Sequence, residues 1–148
     1  MELACLANGK RDGSFILIAA VVIKPASYTA AINMKVIAIL SQVKELPKGI
    51  INAVSGPGEV VGEQLAKSEK VNMIDFTGDA VTGEKISIVA ARTVKKVSLE
   101  LGGKSPNVIF DDANLNKAIP GAIWAFLFTS GQLCMAGTRL VVQDTIYD

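Results

Sequence analysis

The stretch "VNMIDFTGDAVTGEKISIVAARTVKKVSLEL", residues 71–101, contains two strand-like segments on either side of a helical one. The apolar run VNMIDF is typical of a buried strand, EKISIVAARTV has helical periodicity, and KKVSLEL is again strand-like. The glycine-bearing turn TGDAVTG joins the first strand to the helix. Strand, helix and strand at this spacing predict a βαβ unit, in which the two strands run parallel in one sheet.

The same alternation continues on both sides of this stretch. Upstream, ILIAAVVIK predicts a strand that ends at Pro25, and Thr29 is placed to cap a helix through AAINMKVIAILSQVKEL that ends at Pro47. The strand IINAV, the turn SGPGE and the helix VVGEQLAKS follow. Downstream, PNVIF and TRLVVQ predict strands around the helix NLNKAIPGAIWAFLF, which we expect to bend at Pro120. The chain therefore predicts an α/β fold with a parallel sheet, which binds ligands beyond the carboxyl ends of its strands.

Composition excludes several classes of partner. The chain has 148 residues, and its 15 basic and 14 acidic side chains give a net charge of +1, so we expect no nucleic acid partner. Its longest apolar run, residues 15–23, is far shorter than the roughly 20 residues of a membrane-spanning helix, so no membrane span is expected. Lys10 and Arg11 precede that run, but no small-residue cleavage site follows it, which argues against a signal peptide.

The cysteine and histidine content narrows the chemistry. Cys5 and Cys134 are far apart with no framework of spacings, which indicates free thiols in a reducing compartment and a cytoplasmic protein. The absence of histidine excludes Ser-His-Asp and Cys-His catalysis and most zinc sites, and we expect no metal. In "GQLCMAGTRLVV", residues 131–142, Cys134 is either a buried apolar filler, as cysteine often is, or a nucleophile.

Two glycine-bearing turns lie where predicted strands pass into helices. In SGPGEVVG, Gly58 and Gly62 belong to a pattern that is not the G-x-G-x-x-G fingerprint, and a plain tight turn explains these glycines better than a ligand does. In FTGDAVTG, Gly78 and Gly83 flank a helix start, where free N–H groups and the positive end of the dipole suit a phosphate. The carboxylate of Asp79 would repel a phosphate there.

A third turn, in SLELGGKSPNVIF, follows a carboxylate. Glu100 lies in an apolar strand just before two glycines, and a buried carboxylate has a raised pKa that suits a general base near neutral pH. An ion pair between Glu100 and Lys104 is the alternative explanation.

Four stretches, KPASYTA, FTGDAVTG, LELGGKSPNVIFDDANL and GQLCMAGTRLVVQDTIYD, resemble the NAD(P)-dependent aldehyde dehydrogenase superfamily in order and spacing. The resemblance extends from about Val21 to Asp148. It implies that Cys134 attacks an aldehyde to form a thiohemiacetal and that Glu100 activates the water that hydrolyses the later thioester. It also implies that the backbone N–H of Cys134 supplies half of an oxyanion hole.

The resemblance further implies NAD or NADP as cofactor. The matching cofactor-binding positions are Lys24, Ser27, Gly58, Gly62, Gly78, Asp79, Gly83, Leu101 and Gly102. Ser27 stands where many NAD-preferring members have glutamate, so we expect NADP to be tolerated or preferred. Asp79 stands where serine usually meets the pyrophosphate, which is a second departure from the family pattern.

The domain organisation follows from the same resemblance. Residues 1–20 stay unassigned, residues 21–101 match the C-terminal half of an NAD(P)-binding domain with part of its Rossmann-like parallel sheet, and residues 102–148 match the beginning of an α/β catalytic domain. Because family members are longer, we interpret the chain as a fragment of an enzyme that oxidises a small aldehyde to a carboxylate, whose full-length relatives form homodimers or homotetramers. The alternative is a truncated, inactive protein that retains nucleotide-binding or subunit-interaction elements.

Overall fold

A computed structural model describes residues 2–8 and 19–147, with side chains from residue 20 onward. Two compact units divide the chain, Met1–Glu100 and Leu101–Asp148. This division lies next to the domain boundary predicted after residue 101. Residues 15–18 of the apolar run at residues 15–23, together with Lys10 and Arg11, lie outside the described residues.

The first unit is built around a five-stranded sheet in the order β3-β2-β1-β4-β5. Its strands are β1 (Glu2–Asn8), β2 (Ala19–Lys24), β3 (Ile51–Ala53), β4 (Met73–Gly78) and β5 (Lys96–Leu101). Its helices are α1 (Ala30–Leu40), α2 (Glu63–Lys67) and α3 (Ala80–Ala91), and a π-helical turn over Gly58–Gly62 leads into α2. The α/β fold is therefore confirmed, with helices joining the strands in the predicted order.

β1 lies in the segment that the sequence analysis left unassigned, and it changes the parallel sheet that was predicted. β2 and β3 are parallel, as expected, with Val21 opposite Ile51. β1 lies between β2 and β4 and is antiparallel to both, so that Leu3 stands opposite Lys24 on one side and Phe76 on the other. The sheet is thus mixed rather than purely parallel. The inserted strand satisfies backbone groups of β2 and β4 that would otherwise lack partners.

The core of the first unit lies where α3 meets β4. Ile74 and Phe76 are fully buried, whereas the intervening Asp75 is exposed, which is the alternation expected of a strand with one buried face. α3 buries Ile86 and Ala90, four residues apart on one face of the helix. The apolar positions from which this βαβ unit was predicted are therefore the side chains that form its core.

The first helix is shorter than its sequence pattern suggested. α1 ends at Leu40 rather than near Pro47, and turns close the chain beyond it through bonds such as that from the Gln42 N–H to the Ile39 carbonyl. Thr29 holds the N-cap position, but its side chain makes no capping bond to the helix backbone. Its hydroxyl oxygen instead accepts a hydrogen bond from Asn33 Nδ2 at 3.0 Å, which removes it from the capping role predicted above.

The second unit pairs two strands beside one helix. β6 (Pro106–Ile109) and β7 (Arg139–Val142) are parallel, and α4 (Leu115–Leu127) connects them and contacts β6. α4 continues through Pro120. Thr129, Ser130 and Gly131 have positive φ angles, and this left-handed turn leads the chain from α4 towards β7. No helix in the described part of the chain is long and apolar enough to cross a membrane.

Candidate functional site

A cavity of about 750 Å³ opens in the first unit beyond the end of β2. The loop after β2, the turn before α2 and one face of α3 line it. Four of the predicted cofactor-binding residues take part: Lys24, Ser27, Gly58 and Gly62. The cavity thus lies at the carboxyl end of a strand, the edge where α/β sheets bind ligands, and it includes residues that the family resemblance assigns to the cofactor.

Lys24 is the buried charged side chain of this cavity, whose lining also includes Lys85, Glu59 and Glu63. The side chain is 1% exposed, and its Nζ donates hydrogen bonds to the carbonyl oxygens of Pro25 at 2.6 Å and Gly56 at 3.4 Å. Among the described residues, the ion pair is that of Lys67 with Glu63. Lys24 has no carboxylate partner there. A buried ammonium without a counterion favours an anionic ligand, since burying an isolated charge is costly.

The turn beside Lys24 requires glycine for a steric reason. Gly56 has φ +153°, and a Cβ at this position would lie 2.5 Å from Cγ2 of Val61. Only a residue without a side chain leaves the carbonyl of Gly56 free to approach Lys24 in this way. The SGPGEVVG turn therefore has a structural role, because its Gly56 carbonyl accepts a hydrogen bond from Lys24.

The sequence reasoning missed the helix that forms one wall of the cavity. The residues that α3 contributes are Thr82, Lys85, Ile86, Ile88 and Val89. Thr82, Lys85, Ile86 and Val89 follow the spacing of a single helical face, so helical periodicity applied to this helix would have indicated them. Tyr28 and Glu59, also not anticipated, lie on the remaining wall.

The start of α3 is occupied by the protein's own carboxylate. Asp79 is the N-cap residue, and its Oδ1 accepts a hydrogen bond from the Thr82 N–H at 2.9 Å while its Oδ2 accepts one from the Thr82 hydroxyl at 2.8 Å. These bonds lower the pKa of Asp79 below its ordinary value, so the side chain is ionised at neutral pH. Gly78 and Gly83 flank this cap as predicted, but they do not line the cavity.

Cys134 lies in a turn of the second unit, between α4 and β7. The thiol is free and exposed, so the alternative of a buried filler is wrong. The Ala136 N–H closes the turn on the Leu133 carbonyl at 3.1 Å. In the described part of the chain, no backbone hydrogen bond uses the Cys134 N–H. An exposed thiol beside an unused N–H is the arrangement that the nucleophile hypothesis needs.

Glu100 lies near the end of β5, in the first unit. Its side chain is exposed, which contradicts the burial expected from the apolar strand around it. β5 is the outermost strand in the sheet order, so it lacks a neighbouring strand on one side to cover it. Leu101 is half-buried and Gly102 exposed, and neither lines the cavity. No cluster of carboxylate or thiol groups suited to a metal ion occurs among the described residues.

Comparison with known proteins connects both units to one family. The aldehyde dehydrogenase family profile matches residues 14–148. Betaine aldehyde dehydrogenase of Bacillus subtilis is 45% identical over 128 residues, which is 86% of this chain and 26% of that protein. Human cytosolic 10-formyltetrahydrofolate dehydrogenase is 42% identical over 146 residues, 98% of this chain and 15% of that protein. The chain therefore spans about a quarter of the length of the bacterial relative, and less of the human one.

Solved structures show the same likeness. A Staphylococcus aureus betaine aldehyde dehydrogenase variant, in complex with NAD⁺ and with a cysteine modified by β-mercaptoethanol, superposes with a TM-score of 0.82 at 39% identity. The match covers 86% of this chain and 26% of that one. An NAD-dependent aldehyde dehydrogenase from Sinorhizobium meliloti superposes with a TM-score of 0.80 at 41% identity, covering 86% and 25%.

Proposed function

The chain belongs to the aldehyde dehydrogenase family, and from that membership we propose that it is part of an enzyme that oxidises an aldehyde to a carboxylate with NAD⁺ or NADP⁺. The observation that carries this proposal is the exposed, free thiol of Cys134 in its turn. The cavity beside Lys24 is the second support, because it offers a positive charge and a volume suited to the adenosine half of a dinucleotide.

In the proposed reaction, the Cys134 thiolate adds to the carbonyl carbon of the aldehyde. A C–S bond forms, and the π electron pair of the carbonyl moves to oxygen, which the unused N–H of Cys134 is available to stabilise. A bound NAD⁺ or NADP⁺ would supply the hydride acceptor for this thiohemiacetal, and Cys134 would then carry the acyl group as a thioester. Water then adds to the thioester while Glu100 takes its proton, and the carboxylate product leaves as the thiol is restored.

These 148 residues contain no histidine that could activate the thiol. The thiolate is the nucleophilic form, and nearby N–H dipoles, the positive charge of a bound nicotinamide or proton transfer to Glu100 are the means of generating it. The carboxylate of Glu100 is open to water, and its role as base rests on the family resemblance, because the burial expected from the sequence is absent. The β-mercaptoethanol-modified cysteine of the Staphylococcus aureus relative supports a reactive thiol in this family.

For the cofactor, we propose NAD⁺ or NADP⁺ binding in the cavity of the first unit, with NADP⁺ tolerated or preferred. Support for NAD⁺ comes from the relatives solved with it. Support for NADP⁺ comes from Ser27, which lines the cavity without contributing a negative charge, and from Lys24, whose ammonium lacks a carboxylate partner among the described residues. A 2′-phosphate would supply that missing counterion.

A second candidate is a protein of this family that no longer oxidises aldehydes. Asp79 favours it, since a carboxylate at the N-terminus of α3 opposes a phosphate-containing cofactor. Such a protein would retain the fold and a nucleoside-binding cavity but would not transfer hydride.

The test compares two variants that each remove one of this chain's two thiols, Cys5→Ser and Cys134→Ser, in a full-length protein that carries this chain. We expect iodoacetamide at neutral pH to alkylate Cys134 in the first variant faster than Cys5 in the second, and only the first variant to produce NADH or NADPH from an aldehyde. Equal alkylation rates would contradict a nucleophilic role for Cys134. Fast alkylation of Cys134 without oxidation of any aldehyde would favour the inactive alternative.

A further inference from the structure

The turn that carries the thiol contacts a second segment of the same unit. The GGKS segment, residues 102–105, precedes β6, and a Cβ on its Gly103 would lie 3.5 Å from the carbonyl oxygen of Cys134. That separation is an ordinary van der Waals contact, so the GGKS segment lies close against the backbone of Cys134. The carbonyl and the N–H of Cys134 flank the Cα that carries the thiol. A shift of this contact therefore redirects both groups that the proposed reaction uses.

The chain that follows Cys134 is anchored separately. Ala136 is 3% exposed, and the Gly137 N–H donates a hydrogen bond to the Ala125 carbonyl of α4 at 3.1 Å. A Cβ on Gly137 would lie 3.2 Å from Cβ of Asn107, so β6 also packs closely here. This side of the turn is thus fixed to α4 and β6, whereas the contact with Gly103 depends on how the GGKS segment is held.

Arg139, at the start of β7, holds the GGKS segment. Its Nε donates a hydrogen bond to the carbonyl of Lys104 at 2.8 Å, and its backbone N–H donates to the carbonyl of Ser105 at 3.3 Å. The backbone bond is independent of the side chain, but the bond to Lys104 requires the guanidinium. A hydrogen bond from a charged donor is stronger than one between neutral groups. The Arg139 side chain is therefore a link between β7 and the residue next to Gly103.

We infer that Arg139 is a positioning residue for the nucleophile. By binding the Lys104 carbonyl, it keeps Gly103 against the carbonyl of Cys134 and so fixes the direction of the thiol and of the Cys134 N–H. The inference rests on the proposed function, because it concerns the nucleophile assigned there. It gives the arginine of the GTRLVV stretch a role in the reaction that acts through the backbone of another segment.

Three substitutions of Arg139 separate the hydrogen bond from the charge, in a full-length protein that carries this chain. Arg139→Met removes both, Arg139→Gln places an amide N–H at the position of Nε without the charge, and Arg139→Lys keeps the charge but has a carbon there. We expect kcat for aldehyde oxidation to fall about tenfold in Arg139→Met, since a misplacement of about 1 Å can cost about 10²-fold. Arg139→Gln should restore more of the rate than Arg139→Lys. The KM for NAD⁺ should stay the same, because the cofactor cavity lies in the first unit.

Gln143→Met is the matched control at the other end of β7. The side chain of Gln143 links the same two strands, since its Oε1 accepts from the Asp111 N–H at 3.1 Å and its Nε2 donates to Asp111 Oδ2 at 2.9 Å. Loss of this link should leave kcat as in the parent protein. Hydrolysis of 4-nitrophenyl acetate, an activated ester that acylates a thiol without any hydride acceptor, provides a second readout. Its rate should fall in Arg139→Met and stay unchanged in Gln143→Met.

Four results would overturn the inference while leaving Cys134 as the nucleophile. They are an unchanged kcat in Arg139→Met, an unchanged rate of ester hydrolysis in that variant, an equal loss of kcat in Gln143→Met, and a rescue by Arg139→Lys that equals or exceeds the rescue by Arg139→Gln. Absence of both aldehyde oxidation and ester hydrolysis in the parent protein would overturn the proposed function itself, and the inference with it.

Discussion

Replacing Gly78 with alanine should destabilise the first unit through a single steric clash in its core. A Cβ on Gly78 would lie 2.5 Å from Cζ of Phe76 and 3.1 and 3.2 Å from the two Cε atoms, whereas carbon atoms in favourable contact are about 3.5–4.0 Å apart. Phe76 is 0% exposed, so the ring cannot turn into solvent and must displace its buried neighbours instead. Overpacking of this kind costs about 1–3 kcal/mol.

Urea unfolding followed by far-UV circular dichroism measures this loss. With an m-value of about 2 kcal/mol per M, a loss of about 2 kcal/mol lowers the unfolding midpoint by about 1 M. Gly102→Ala is the matched control, because nothing lies within 4 Å of the position its Cβ would take, and its free energy of unfolding should change by less than about 0.5 kcal/mol.

A double variant identifies the cause of the loss. Phe76→Leu removes the ring atoms that the new methyl group would meet, so Phe76→Leu/Gly78→Ala should be more stable than the sum of the single losses predicts, by at least about 0.5 kcal/mol. Equal midpoints for Gly78→Ala and Gly102→Ala, or strictly additive losses in the double variant, would refute the steric reasoning.

Three further outcomes concern activity and pH. Expressed alone, these 148 residues should oxidise aldehydes far below an ordinary enzymatic rate of about 1 s⁻¹, because the chain spans only about a quarter of the length of its bacterial relative. Turnover at that rate in the chain alone, lost in Cys134→Ala, would contradict this expectation. In a full-length protein, Ser27→Glu should shift the ratio of kcat/KM for NADP⁺ and NAD⁺ towards NAD⁺, and an unchanged ratio would show that Ser27 does not contact the ribose. Because the pKa of Asp79 is lowered in the folded state, the ionised cap stabilises the fold at pH values above the pKa of the unfolded chain, about 3.9. This stabilisation is lost as the pH falls through the lower pKa of the folded state. Urea midpoints should therefore fall more steeply from about pH 6 to about pH 3 in the parent than in Asp79→Asn, and parallel curves would refute the charged cap.

The sequence determined the elements whose causes are local. The period-2 pattern around Ile74 and the helical spacing of Ile86 and Ala90 correspond to the buried faces of β4 and α3. The family resemblance of KPASYTA pointed to Lys24 and Ser27, and both line the cavity because the end of a strand and the loop after it reach the same edge of the sheet. These features depend on neighbours a few residues apart along the chain.

Only the tertiary structure decided the features that depend on distant parts of the chain. The antiparallel insertion of β1 between β2 and β4 depends on backbone hydrogen bonds to segments tens of residues away, which no local pattern encodes. The exposure of Glu100 follows from the outermost place of β5 in the sheet, and that of Cys134 from a turn that leaves its thiol uncovered. Side-chain burial is set by which elements cover a residue, so apolar neighbours in sequence could not determine it for either residue.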